Sequence, residues 1–70
     1  MILLKKIMKD NCIKSYELYT LIGCSRVNFE YKCSLRVDFK IEELEMIKNF
    51  FVELNIVTSD FDIGCFLESV

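Results

Sequence analysis

The sequence predicts an all-α fold, a compact bundle of about five short helices in a single domain that spans residues 1–70. Apolar residues recur at intervals of three and four along the chain, which is the period of a helix and not the alternation of a strand. The chain contains no proline and only two glycines, so few residues interrupt a helix. No repeat, linker or low-complexity segment divides the sequence, which agrees with one domain.

The first two predicted helices cover residues 2–9 and residues 15–22. Apolar side chains at helical spacing define the first of them: Ile2, Leu3, Leu4, Ile7 and Met8. Ser15 is the expected N-cap of the second helix, because a serine hydroxyl accepts a hydrogen bond from a free backbone N–H group of the first turn. Gly23 follows this helix directly and is expected to end it in a left-handed conformation.

The third predicted helix covers residues 26–33 and has Ser25 as its expected N-cap. Phe29 and Cys33 stand four residues apart, which places both on the inner face of this helix. Because Ser25 follows Gly23 by two residues, only a short turn separates the second and third helices.

The loop SLRVDF precedes the longest predicted helix, residues 40–54. Five residues form the apolar stripe of that helix: Ile41, Leu44, Ile47, Phe51 and Leu54. Its glutamates are expected mostly on the outer side: Glu42, Glu43, Glu45 and Glu53. Thr58 or Ser59 is expected to cap a last short helix over residues 60–68. Gly64 weakens that helix by roughly 1 kcal/mol relative to alanine, so this end is expected to fray or to pack as an extended tail.

The charge of the chain is divided between its two halves. Residues 1–36 contain seven basic and three acidic side chains, whereas residues 37–70 contain two basic and eight acidic ones. By itself, the net charge of −2 argues against a protein that binds nucleic acid strongly. Only the basic half is therefore expected to approach phosphate groups.

The four cysteines are Cys12, Cys24, Cys33 and Cys65. They form no Cys-x-x-Cys pair and the chain has no histidine, so a zinc site would need four thiolates from scattered positions. The N-terminal residues do not form a secretion signal, and a disulfide framework is therefore not expected. We interpret the cysteines as buried thiols that act as small apolar residues. No catalytic set and no phosphate-binding glycine loop is present, so neither an enzyme nor a cofactor is expected.

The segment KSYELYTLIGCSRVNFEYKCS, followed by RVDFKIEELEMI, resembles the helix-turn-helix of Cro-like and lambda-repressor-like phage regulators. The resemblance covers residues 13–56. Its matching positions are Leu18, Leu21, Gly23, Ser25, Arg26, Phe29, Asp38, Phe39, Glu42, Glu43 and Leu44. The resemblance implies that the second and third helices form a helix-turn-helix. It further implies a small transcriptional regulator of a phage or mobile element that binds a short operator as a homodimer.

The chain departs from the family pattern at four positions. Tyr16 stands near the start of the second helix, where family members often have a Gln or Glu that holds a phosphate. Cys24 replaces the usual Val or Ile of the turn, and Cys33 replaces a common Leu. Both replacements are small and apolar, so they are compatible with the fold. Lys40 stands where a Ser or Thr often caps the fourth helix.

In a helix-turn-helix of this kind, the helix at residues 26–33 would enter the major groove of double-stranded DNA. Arg26 is expected to bond guanine through two hydrogen bonds, and Val27 to contact a thymine methyl group. Asn28 is expected to bond adenine or a phosphate, and Tyr31 a base edge or a phosphate. The phosphate contacts are expected from Lys14, Ser15, Tyr16, Lys32 and Arg36. Glu30 counts mildly against this interpretation, because its carboxylate would either face a phosphate or accept a hydrogen bond from cytosine.

An alternative function is a helix-turn-helix fold that binds a protein. Phage genomes use this fold for antirepressors and for inhibitors of host defence such as anti-CRISPR proteins, and fold alone does not decide function. The net charge of −2, Glu30 and the acidic second half favour a host protein as the partner. A structural component of a phage particle is a third alternative. Acidic residues around the third helix would favour the protein partner, and acidic residues opposite it would leave DNA open.

The apolar run at the N-terminus is four residues long and ends at Lys5, and no stretch approaches the roughly 20 apolar residues that span a bilayer. We therefore expect no contact with a membrane. Together with the phage resemblance, this predicts a protein of the bacterial host cytoplasm.

Overall fold

The computed structural model describes residues 1–70, and its elements lie close to the predicted ones. The α-helices are α1 (Leu3–Asp10), α2 (Ser15–Ile22), α3 (Arg26–Cys33) and α4 (Ile41–Glu53). A five-residue 3-10 helix, Ile63–Leu67, replaces the last helix predicted at residues 60–68. No strand is present, and one isolated antiparallel bridge joins Ile2 to Ser69. The all-α prediction is therefore confirmed. No helix has both the length and the apolar character needed to cross a membrane.

The core is closed within one copy of the chain. Helix α2 packs on α3 and α4, and the 3-10 helix packs on α1 and α4. The largest fully buried side chains come from all five elements: Leu4, Leu18, Phe29, Ile47, Phe51 and Phe66. The Cα radius of gyration is 10.9 Å, and a globular domain of this length is expected to have about 11 Å. The fully buried phenylalanines therefore belong to the core of the single chain and not to an intermolecular seam.

Each of the four α-helices is followed, within two residues of its end, by a residue in the left-handed region. After α2 this residue is Gly23, with φ of 75°, as the sequence predicts. The N–H groups of Gly23 and Cys24 donate to the carbonyls of Thr20 and Tyr19. The other three helices use residues with a side chain: Cys12, Leu35 and Asn55. Because none of these three residues is a glycine, the sequence does not predict the left-handed conformation at these helix ends.

Both α2 and α3 begin at the predicted residues, but only α3 has the predicted N-cap. The Ser25 hydroxyl accepts a hydrogen bond from the Asn28 backbone N–H at 3.1 Å. Ser15 was expected to cap α2, but it is the first helical residue and Lys14 precedes the helix. The Glu17 carboxylate accepts from the Lys14 backbone N–H at 2.8 Å. A glutamate in the first turn can reach back in this way, so the helix needs no hydroxyl cap.

Helix α4 corrects two predictions about its faces. Ile41 and Leu54, both placed on the inner stripe, are 65% and 49% exposed. They flank the packed part of the helix, which lies between Leu44 and Phe51. Glu43, placed on the outer side, is buried. Its position follows from its contacts, because it lies against a buried lysine of α3 and accepts a hydrogen bond from the backbone before α4.

The C-terminal residues are fixed to the N-terminus. The Leu3 backbone N–H donates to the Glu68 carbonyl at 2.7 Å, and Val70 N–H donates to the Met1 carbonyl at 3.0 Å. The Asp62 side chain caps the 3-10 helix by accepting from Gly64 N–H, in place of the expected Thr58 or Ser59. Instead of a frayed end, the residues around Gly64 form a short 3-10 helix that hydrogen bonds hold at both ends.

The cysteines are all free thiols, and their burial differs. Cys33 is buried, and burial raises the pKa of its thiol to about 11. Cys24 and Cys65 are half-buried. Cys12 is exposed, so the expectation that all four are buried is wrong for this residue. Cys12 lies in the turn that follows α1, where its backbone is in the left-handed region and its side chain is outside the core.

Candidate nucleic-acid interface

The outer face of α3 exposes most of the residues predicted to contact bases. Arg26 and Asn28 are exposed, Val27 is 58% exposed and Tyr31 is 45% exposed. Phe29 turns inward, where its ring meets the Phe39 ring edge-on at a centroid distance of 6.2 Å. Because Phe29 anchors the helix, the side chains on either side of it in sequence point to solvent.

The residues predicted to hold phosphates lie at the start of α2 and after α3. Lys14 and Tyr16 are exposed, and Ser15 is half-buried. Arg36 is exposed, and its guanidinium carbon lies 5.9 Å from the centre of the Tyr31 ring. This is a cation–π distance, so the stacking holds the Arg36 charge beside the outer face of α3.

Lys32 does not fit its predicted role as a phosphate ligand. Its side chain is buried, and its ammonium nitrogen lies 2.5 Å from both carboxylate oxygens of Glu43. The Phe39 ring lies 5.9 Å from the same nitrogen. Position 32 follows Phe29 by three residues and therefore faces the protein interior with it. The prediction for Lys32 is wrong, and its actual contact joins α3 to α4.

The ion pair controls the titration of Glu43. Burial acts to raise the pKa of this carboxyl, but hydrogen bonds from the Lys32 ammonium and the Lys40 backbone N–H and the charges of both lysines outweigh it. The pKa of Glu43 therefore lies below its ordinary value. A carboxyl of this kind stabilises the fold fully above its unfolded pKa, and the contribution is lost as the pH falls through the lower folded pKa.

We expect the free energy of unfolding to fall as the pH is lowered below about 4.3, the ordinary pKa of a glutamate. Urea titrations at a series of pH values measure this. The hydroxyl of Thr58 lowers the pKa of the exposed Asp60 carboxyl as well, and this contribution is the same in both proteins compared next. The difference between wild type and Lys32→Met/Glu43→Leu isolates the contribution of the buried pair. Parallel curves for the two proteins would contradict the assignment.

Glu30, the acidic residue on the outer face of α3, has a basic partner. Its carboxylate oxygen lies 3.4 Å from the ammonium nitrogen of Lys5 on α1. Lys5 is not predictable as this partner from the sequence, because the two residues are 25 positions apart and no periodicity connects them. The two ion pairs that involve α3 are therefore Lys5–Glu30, with α1, and Lys32–Glu43, with α4.

Exposed apolar side chains continue from α3 into the loop that follows. Leu35 is 55% exposed and Val37 is 40% exposed. Leu35 ends α3 with φ of 62°, a conformation that costs a non-glycine residue roughly 1–2 kcal/mol. The backbone N–H groups of Arg36 and Val37 both donate to the Tyr31 carbonyl, which keeps the loop against the end of the helix.

A second surface feature is an apolar groove between α1 and the chain that follows α4. Its apolar walls are Leu3, Ile7, Val52, Ile56, Val57 and Phe61. Leu3 and Ile7 lie on the side of α1 opposite to Lys5, because successive residues of a helix are 100° apart. The groove is therefore turned away from the contact between α1 and α3.

No family model matches this chain, and no curated protein or solved structure is significantly similar to it. The resemblance to Cro-like regulators therefore stays a prediction from sequence. The site consists of the outer face of α3 with Arg26, Val27, Asn28 and Tyr31, the start of α2, and Arg36. No group of cysteine, aspartate and glutamate side chains is arranged to hold a metal ion.

Proposed function

We propose that this protein is a small DNA-binding transcriptional regulator of the phage or mobile-element type. In this proposal α2, the turn from Gly23 to Ser25, and α3 act as a helix-turn-helix, and α3 enters the major groove. The observation that carries the proposal is the exposed first turn of α3 directly after a tight turn. No carboxylate oxygen lies within 4.0 Å of the Arg26 guanidinium, so this group is free to bind a ligand.

The side chains on α3 match the chemistry of base edges. The guanidinium of Arg26 has the two parallel donors that bind the O6 and N7 atoms of guanine. Val27, one residue on, offers a methyl surface for the methyl group of thymine. Asn28 pairs with adenine or a phosphate, and Tyr31, at the far end of the exposed face, reaches a base edge or a phosphate.

The electrostatics around α3 favour an anionic ligand. Lys14, Arg26 and Arg36 are exposed and none of them is in an ion pair. Lys14 begins α2 together with Ser15 and Tyr16, and these residues are proposed to contact the DNA backbone. The positive charge of Lys5 offsets the negative charge of the Glu30 carboxylate, so Glu30 repels phosphates less than an unpaired glutamate would.

A homodimer belongs to the same proposal. Helix α3 has eight residues, so one copy presents only a short stretch of side chains to the groove. Two copies on one operator double these contacts, and dimeric helix-turn-helix proteins bind half-sites about one turn of DNA apart. Sedimentation equilibrium with and without operator DNA measures the number of copies bound.

The first test is a titration of the protein with the DNA upstream of its own gene at two salt concentrations. We expect specific binding that weakens steeply with salt, because phosphate contacts release counterions. Arg26→Ala should weaken specific binding by about tenfold to a hundredfold, the value of one bidentate base contact.

Two variants serve as controls for this titration. Arg26→Lys keeps the charge but loses the paired donors, so it should bind DNA with a similar salt dependence and reduced discrimination. Lys48→Ala removes a charge from α4 and should have little effect. Absence of binding at low salt, or equal affinities of wild type and Arg26→Ala, would contradict the proposal.

A second candidate function is an inhibitor that binds a host protein, of the antirepressor or anti-CRISPR type. The specific observation in its favour is the exposure of four apolar or aromatic side chains on α3 and the loop after it: Val27, Tyr31, Leu35 and Val37. Such a surface also suits a protein interface, in which aromatic residues are enriched. If DNA is not bound, capture of a host protein by wild type and its loss in Tyr31→Ser/Leu35→Ser would support this function.

A further inference from the structure

Glu30 on α3 has two candidate basic partners, Arg26 on the same helix and Lys5 on α1. Arg26 and Glu30 are four residues apart on the same helix, the spacing at which opposite charges pair. In the structure Glu30 does not use this partner. Its carboxylate oxygen lies 3.4 Å from the Lys5 ammonium nitrogen, and the Arg26 guanidinium is left without a carboxylate.

The position of Lys5 is set by the packing of α1. Its neighbours Leu4 and Met8 are both buried in the core, which fixes the orientation of the helix. The Lys5 side chain is 32% exposed and that of Glu30 is 48% exposed, so the pair lies at the edge of the domain and is partly shielded from water. Lys5 is thus held where it can retain the Glu30 carboxylate.

We propose that Lys5 is a positioning residue for the ligand site on α3. By holding Glu30, Lys5 keeps the Arg26 guanidinium free, and it cancels a negative charge on the face that meets the ligand. Without Lys5, the Glu30 carboxylate pairs with Arg26 and blocks its donors. The consequence for DNA binding rests on the function proposed above, whereas the competition for Glu30 is a property of the free protein.

Lys6 supplies a matched control. It is the next residue of α1, and its ammonium nitrogen lies 2.9 Å from Asp10 within the same helix. Lys6→Met therefore removes the same charge from α1 as Lys5→Met and leaves the partners of Glu30 unchanged. A general loss of positive charge affects both variants, whereas the release of Glu30 affects only Lys5→Met.

The competition is tested in the free protein by NMR of the Arg26 side-chain Nε–Hε group. We expect Lys5→Met to shift this signal and to slow its exchange with water, because Arg26 gains a carboxylate partner. Glu30→Gln in the same chain should reverse both changes, Lys5→Arg should keep the wild-type signal, and Lys6→Met should leave it unchanged. The backbone spectra report whether each variant is folded. An unchanged Arg26 signal in Lys5→Met would overturn the proposal.

The consequence is tested by titrating the same variants with operator DNA. Lys5→Met should weaken binding about fivefold more than Lys6→Met does, a difference near the upper end for a surface ion pair. Glu30→Gln should raise the affinity of Lys5→Met clearly more than that of Lys6→Met, because both variants lose a negative charge at the DNA face but only in Lys5→Met is Arg26 also released. Equal losses without restoration would overturn the role of Lys5 at the DNA site. If every protein fails to bind DNA, the proposed function falls, and the NMR result alone decides the competition for Glu30.

Discussion

Lys32→Met is expected to lower the free energy of unfolding by about 3–5 kcal/mol. The lysine is 4% exposed, and its ammonium nitrogen is bonded to both carboxylate oxygens of Glu43. Methionine fills a similar volume, so the effect comes from Glu43, whose carboxylate is left buried without a counter-charge. Urea denaturation followed by circular dichroism measures the change. A domain of this size has few kcal/mol to lose, so the variant is expected to be largely unfolded near room temperature.

The double variant Lys32→Met/Glu43→Leu separates the two sources of this loss. It removes both charges and leaves apolar side chains in their place, and replacing a buried ion pair in this way is often neutral or stabilising. We therefore expect the double variant to recover most of the stability that Lys32→Met loses. Lys48→Met is the control, because Lys48 lies on α4 like Glu43 but forms no ion pair, and it should change the free energy of unfolding little. A loss below about 1 kcal/mol for Lys32→Met would mean that water reaches Glu43.

Phe66→Ala is expected to lower the free energy of unfolding by about 3–5 kcal/mol. Phe66 is fully buried in the 3-10 helix, and its ring meets the Phe51 ring edge-on at a centroid distance of 5.7 Å. The centroid of the Phe61 ring lies 4.8 Å from that of the Phe66 ring. Truncation removes this contact surface and leaves a cavity between α4 and the C-terminal residues, because the surrounding structure closes only in part.

Phe50→Ala is the matched control, because Phe50 is half-buried and precedes the fully buried Phe51 on α4. It should cost clearly less than Phe66→Ala in the same urea titrations. Hydrogen exchange of the Leu3 and Val70 amides gives a local measurement, since both donate to the opposite terminus. We expect these two amides to lose protection in Phe66→Ala. Full protection with unchanged stability would show that the C-terminal residues are not part of the core.

Local patterns determined where the α-helices lie. The spacing of apolar residues placed α1, α2, α3 and α4 within one or two residues of their observed ends. Gly23 and Ser25 determined the turn between α2 and α3, because each acts through its own backbone or a hydrogen bond to a neighbour. Phe29 marked the inner face of α3, and the exposed face with Arg26, Val27, Asn28 and Tyr31 follows from it.

The tertiary structure decided the partners of the charged residues. Lys32 was placed on a phosphate and Glu43 in solvent, because a lysine and a glutamate on separate helices carry no sign of their pairing. The two are 11 positions apart, and Lys5 and Glu30 are 25 apart. Such contacts depend on how α1, α3 and α4 approach one another.

The helix ends and the C-terminus show the same division. Cys12 and Leu35 end their helices in a conformation that costs free energy, and the hydrogen bonds of the folded chain hold them there, whereas Asn55 adopts the same conformation at lower cost. The residues after Gly64 read as a weak helix, but the burial of Phe66 and the backbone bonds to Met1 and Leu3 hold them in place. The helices, the turn before α3 and the exposed face could be predicted from the sequence, since these depend on neighbouring residues. The ion pairs, the strained helix ends and the anchored terminus depend on residues distant in the chain, and only the tertiary structure brings those residues together.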